Sequence, residues 1–180
     1  MALTAALLAA CAAVPSRSPQ WPSFAADAPF AIEGRLSVRR GNEALTANFS
    51  WRHAPPRDDL VVSTPLGQGL AEISADASVP RYELRGSDGR REDAGDWSTL
   101  TERVFGAPLP VAGLVAWIVG APRPNAAYSI EPDASGRTLV LRQDGWEIVY
   151  EYADADARLP MRLQLSQTDI ELRIVVLQWK

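Results

Sequence analysis

One hundred and eighty residues at 19.6 kDa suffice for one domain with a substantial core and hardly for two. Eighteen basic against 22 acidic residues leave a net charge of −4, the wrong balance for a nucleic-acid binder, and 47% hydrophobic with 22% charged residues excludes wholesale disorder. One cysteine and one histidine exclude a disulfide framework and a zinc site on counts alone, and leave His53 as the sole candidate for a histidine-dependent hydrolase.

Residues Met1 to Ala10 form an apolar run, and Cys11 follows at once. Leu8-Ala9-Ala10-Cys11 resembles the bacterial lipobox, in which cleavage before the cysteine is coupled to acylation of its thiol and new amino group. Residues 1–10 therefore read as a signal peptide and Cys11 as the lipid-attachment residue. No Lys or Arg precedes Cys11, whereas a signal peptide ordinarily opens on a basic segment, so the natural start codon is expected upstream. Residues 11–29 comprise this cysteine and a tether with Pro15, Pro19, Pro22 and Pro29, a composition unsuited to periodic structure. More than one acyl chain on Cys11 is the condition for stable membrane anchoring. After the signal, the longest apolar stretch is Leu109–Pro122, too short to span a bilayer and broken by Gly113.

From residue 30 the chain alternates. Phe30, Ile32, Gly34, Leu36 and Val38 share one face, Gly41-Asn42 marks a turn, and Leu45, Ala47, Phe49 and Trp51 repeat the pattern. Period two on both sides of a turn predicts a hairpin with one buried face. Shorter strands are expected at Asp59–Thr64, Gln68–Ala75 and Pro80–Gly86, with a weak one near Arg90. A helix is predicted from about Asp96 to Phe105, with Thr99 and Glu102 at capping-box spacing and Gly106 as its stop. Pro110 opens a second, to Val119, with Val111, Leu114, Val115 and Ile118 on one face. Its opposite face is apolar too, so it must be covered on most sides. Strands resume at Ala127–Glu131, Arg137–Gln143, Trp146–Tyr152, Leu159–Ser166 and Asp169–Trp179, and Asp144-Gly145 suits a type I′ hairpin turn. Ten or eleven sequence-adjacent strands with two helices inserted once predict a mainly β fold: a single curled antiparallel sheet, its open side closed by the helices.

No catalytic constellation emerges. His53, ahead of Ala54-Pro55-Pro56, reads as a solvated loop histidine, and Asp58-Asp59, Asp93, Asp96 and the Asp154/Asp156 pair read as turn acids. No phosphate-cradling motif occurs. The expectation is a protein without catalytic residues, cofactor or metal.

The order of several short motifs resembles the LolB family of outer-membrane lipoprotein receptors. They are Gly34-Arg35-Leu36, Phe49-Ser50-Trp51, Thr64-Pro65-Leu66-Gly67, Leu109-Pro110, Trp117 to Pro122, Gly145-Trp146 with Tyr150, Leu159-Pro160, and Leu172-Arg173 to Trp179. The resemblance covers roughly Phe30 to Trp179 and makes 30–180 the lipoprotein-binding domain. It implies an open half-barrel of about eleven strands with a helical lid over an apolar cavity. It also implies a monomeric, non-enzymatic receptor on the periplasmic face of the outer membrane, anchored by Cys11, that takes client lipoproteins from the periplasmic carrier LolA. Pro65, Leu66 and Gly67 match the loop with which the family delivers lipid to the inner leaflet. The large apolar residues of the alternating faces and second helix are expected to line the acyl-chain cavity: Leu36, Val38, Phe49, Trp51, Leu114, Trp117, Ile118, Ile148, Tyr150, Leu172 and Ile174. A LolA-like carrier, or a structural envelope lipoprotein without lipid transfer, is the alternative.

Overall fold

The computed structural model describes residues 28–79 and 81–180. The readings placed on residues 1–27, Cys11 and the signal and tether segments among them, lie outside the described residues.

Eleven strands form one antiparallel sheet. They are β1 (Phe30–Arg40), β2 (Glu43–Ala54), β3 (Arg57–Ser63), β4 (Gly69–Asp76), β5 (Arg81–Gly86), β6 (Arg91–Ala94), β7 (Tyr128–Pro132), β8 (Thr138–Gln143), β9 (Trp146–Glu151), β10 (Arg162–Gln167) and β11 (Ile170–Trp179). Their spatial order is β6-β5-β4-β3-β2-β1-β11-β10-β9-β8-β7. Two meanders are thus joined at the middle by pairing of the first strand with the last, and the sheet stays unclosed. Helices α1 (Trp97–Phe105) and α2 (Val111–Trp117) fall between the meanders in sequence. No described helix is long and apolar enough to cross a membrane.

The alternation read from the sequence is the burial pattern. Ile32, Leu36 and Val38 on β1 and Ala47, Phe49 and Trp51 on β2 are buried, with Arg35, Arg39, Ser50 and Arg52 turned outward and exposed. Asp144 and Gly145 both have positive φ, at 53° and 80°, as a type I′ turn demands. Gly34 sits at a break in the β1–β11 register. A Cβ there would stand 2.2 Å from the Val175 carbonyl oxygen and 2.9 Å from the Phe49 ring, so only glycine lets that ring lie across β1.

Several boundaries differ from the sequence reading. The N-cap of α1 is Asp96, whose carboxylate accepts from Thr99 N at 2.8 Å; Thr99 is therefore inside the helix, not its cap. Glu102 turns instead to Arg40, at 3.2 Å. Helix α2 ends at Trp117, with Gly120 in the left-handed region at φ 80° just beyond. Strand β10 starts at Arg162 rather than Leu159, because Pro160 has no N–H to give the ladder.

Candidate functional site

Beneath the two helices, the concave face of the sheet bounds a small apolar space. Its walls are Leu36, Phe49, Trp51, Leu60, Leu172 and Ile174 from the strands, and Thr101, Phe105, Leu109, Val111, Leu114 and Ile118 from the helical segment. Thr101 is the one polar side chain, and its hydroxyl is satisfied: it donates to the Trp97 carbonyl at 3.0 Å and accepts from Leu109 N at 2.9 Å. The wall therefore offers a ligand no free hydrogen-bonding group. The cavity volume is about 40 Å³, enough for a water or two. Sites for small molecules typically hold ~300–1,000 Å³. The lid is shut.

Of the eleven residues nominated for the cavity, Leu36, Phe49, Trp51, Leu114, Ile118, Leu172 and Ile174 lie on this wall. Val38, Trp117, Ile148 and Tyr150 are buried in the same core but away from it. The Tyr150 hydroxyl is buried without a partner, and burial pushes its pKa well up. Sequence reasoning missed Leu60, Leu109, Val111 and the α1 side of the wall. Leu60 was findable from the alternation of β3, and Thr101 with Phe105 from their i, i+4 spacing, which places them on one helical face.

The rim near Trp51 corrects the reading of His53. The alternation of β2 runs on through residue 53, so His53 is buried rather than solvated. Its Nδ1 lies 2.8 Å from the Asp58 carboxylate, which also accepts from Trp51 Nε1 at 2.9 Å. With the carboxylate as acceptor, Nδ1 carries the proton and the buried Nε2 has no partner. The His53 ring packs on Phe30, centroids 5.1 Å apart. Asp58, Asp59 and Asp93 accordingly sit in strands, not turns. Asp58 fixes the polar edge of an indole whose carbon face borders the cavity.

The two helices are fastened differently. Beyond the C-terminus of α2, Gln143 on β8 accepts from Trp117 Nε1 at 2.8 Å and from Arg123 N at 2.7 Å, and donates to the Arg123 carbonyl at 2.9 Å. Thr138 donates to the Gly120 carbonyl at 2.6 Å. Trp117, Gln143 and Thr138 are all buried. The Trp117 ring folds back over Gly113, where a Cβ would come within 2.6 Å of it. Helix α1 buries Leu100, Thr101 and Phe105, and its C-terminal turn is further tied by exposed groups: Arg103 to Glu92, and Arg40 to Glu102 and to the Gly106 carbonyl.

The β3–β4 connection carries Pro65, Leu66 and Gly67. Gly67 N donates to the Thr64 carbonyl at 2.9 Å, Thr64 N to the Gln68 carbonyl at 2.8 Å, and Asn48 Nδ2 to the Thr64 carbonyl at 3.1 Å. On this fixed turn Leu66 is 91% exposed. A hollow of about 360 Å³ lies instead on the outer face of β3–β5 among Arg57, Asp59, Asp76, Arg81 and Glu83. Arg57 and Asp76, and Arg81 and Glu83, pair at 3.2 Å. Charge lining of this kind does not suit an acyl chain.

The described residues thus form an unclosed antiparallel half-barrel, roofed by two helices over a wall of apolar side chains. The family described as outer membrane lipoprotein LolB matches residues 28–179. Similar relatives include an outer-membrane lipoprotein LolB of Chromobacterium violaceum, 38% identical across 98% of this chain and 94% of its own. Those of Dechloromonas aromatica (37%, over 99% and 94%) and Thiobacillus denitrificans (38%, over 96% and 91%) bear the same name. The chain belongs to the LolB family.

Proposed function

We propose that the protein is a receptor on the periplasmic face of the outer membrane, anchored through acylated Cys11. It accepts lipoproteins from the carrier LolA, holds their acyl chains under α1 and α2, and inserts them into the inner leaflet through Leu66. It acts as a monomer, without cofactor or catalytic residue. The observation that carries this reading is the cavity wall, apolar throughout, with its single hydroxyl already engaged. An acyl chain costs about 0.8 kcal/mol per CH₂ in water, so such a wall attracts it without any polar recognition. Because the closed space is about 40 Å³, binding requires the lid to rise. The names of the relatives, outer-membrane lipoproteins all, support the assignment of compartment.

Brominated palmitate tests the cavity directly, since bromine quenches an adjacent indole. Addition to the purified domain should quench tryptophan emission saturably, and the Trp51→Phe variant should lose a large part of that quenching. Equal quenching in both proteins, or none in either, would assign this space to ordinary core packing.

A further inference from the structure

We infer that the hairpin of β5 and β6 is a second membrane contact beside the Leu66 turn, where Arg85, Arg90 and Arg91 receive the phosphates of anionic lipid headgroups. The inference rests on the proposed role of Leu66 as a membrane contact. Strand register places the two turns side by side. Strands β3 and β5 run in the same direction, each antiparallel to β4 between them. The turns that follow them, residues 64–68 and 86–90, therefore leave the sheet at the same end. Two strand spacings put them about 10 Å apart. Ser87 N also donates to the Leu70 carbonyl at 3.1 Å, which holds the second turn against the strand that leaves the first.

The charge on this hairpin works against the sheet. Arg85 and Arg91 are direct cross-strand partners, a like-charge placement that destabilises a ladder, and Arg90 precedes Arg91 in the turn. All of them are exposed. Each has a carboxylate nearby: Glu72 at 3.9 Å from Arg85, Asp88 at 3.4 Å from Arg90 and Glu83 at 3.7 Å from Arg91. These separations exceed the ~2.7–3.2 Å of a normal N–H···O bond, and Glu83 is already engaged by Arg81 at 3.2 Å. Exposed pairs so loose contribute little and leave the guanidinium forks open to a bidentate phosphate. A phosphate between Arg85 and Arg91 would also relieve their repulsion. Val61 lies in the same lateral row, Val61–Glu72–Arg85–Arg91, and is an exposed apolar side chain on that face. Apolar Leu66 and Val61 beside basic side chains match the bilayer interface, where apolar groups sink below the level at which cations meet phosphates.

The test is vesicle co-sedimentation with the full chain carrying Cys11→Ala, so that no acyl anchor contributes. Phosphatidylcholine vesicles are compared with and without phosphatidylglycerol, and the quantity read is the gain in affinity that the anionic lipid brings. One arginine near an anionic surface is worth roughly fivefold. Arg90→Gln, which alters no strand residue, should therefore cut the gain about fivefold. Arg85→Gln, Arg90→Gln and Arg91→Gln together should cut it twentyfold or more. In the native arginine set the gain should vanish in 1 M salt, where the Debye length is about 3 Å. Arg35→Gln, Arg52→Gln and Arg173→Gln together remove the same charge elsewhere on the outer face and should leave most of the gain. An equal loss in this second set would reduce the effect to net charge and overturn the inference. An unchanged gain in the first set overturns it too, and if acceptance of a client from the carrier then falls, the arginines belong to a protein contact instead. Leu66→Glu is read on pure phosphatidylcholine, where it should weaken binding. Unchanged binding there overturns the membrane role of Leu66, separately from the gain that scores the arginines.

Discussion

A leucine at a turn tip ordinarily folds back against its sheet, and Leu66 does not. The turn beneath it is held by Thr64, Gly67 and Asn48, so its exposure is built into the backbone. Leu66→Glu should therefore leave thermal stability within about 0.5 kcal/mol, as surface substitutions do, and preserve acceptance of a client. Insertion into membrane should fall, since a carboxylate resists the acyl region. Unchanged insertion would remove Leu66 from delivery. Asp133 is the residue to follow in acid. Burial raises its pKa, but hydrogen bonds from the Arg137 side chain and from Arg137 N and Ser135 N outweigh that and hold it below the ordinary value. A depressed folded-state pKa gives stability that is complete above the unfolded value near ~4 and is lost as pH falls through the folded one. The melting temperature should decline below about pH 4, and Asp133→Asn should lower it at neutral pH while making that decline shallower; an unaltered acid slope would exclude Asp133 as a contributor. At this scale the sequence was only partly legible. The phase of β2 already pointed His53 inward, but the prolines after it suggested a loop. That Asp58 would meet both His53 and Trp51 depends on a hairpin register that spacing alone does not specify.

The elements themselves were legible because period two and period 3.6 are local properties of the chain. What local pattern could not show is how the helices are fastened, since their partners lie 26 and 62 residues away: Gln143 for Trp117, Arg40 for Glu102. These two fastenings predict opposite phenotypes. Gln143→Leu leaves the Trp117 and Arg123 N–H groups without acceptors, a cost of about 2–6 kcal/mol in total, or on the order of 10 °C in melting temperature for a chain of this size. Arg40→Ala removes only solvent-exposed pairs, to Glu102 and Asp169. It should scarcely change melting, yet speed uptake of a fluorescent fatty acid severalfold if α1 is the side that lifts. Stopped-flow uptake by the two variants separates them, and an unchanged rate in Arg40→Ala would place the moving part elsewhere. The cavity wall was legible in the same partial way. Alternation identified the inward residues, but which of them border empty space depends on how α1 and α2 settle across the sheet. Ile148 and Trp117 ended up in solid core.

On the scale of the molecule, two contiguous meanders, β1–β6 and β7–β11, meet only along the β1–β11 seam. Ile32 pairs with Trp179 and Arg40 with Ile170, partners that are far apart in the chain. Closing a loop of that size carries an entropic cost before any contact compensates it, and folds dominated by such pairings form slowly. The first meander can assemble from its own hairpins, but the free edge of β1 then waits, open to pairing with other chains, until β11 pairs with it. The last strand in sequence order thus lies at the centre of the sheet. A chain ending before Ile170 would not lose an edge strand; it would lose the strand that pairs the two meanders, leaving β1 and β10 as two new free edges in the middle of the fold.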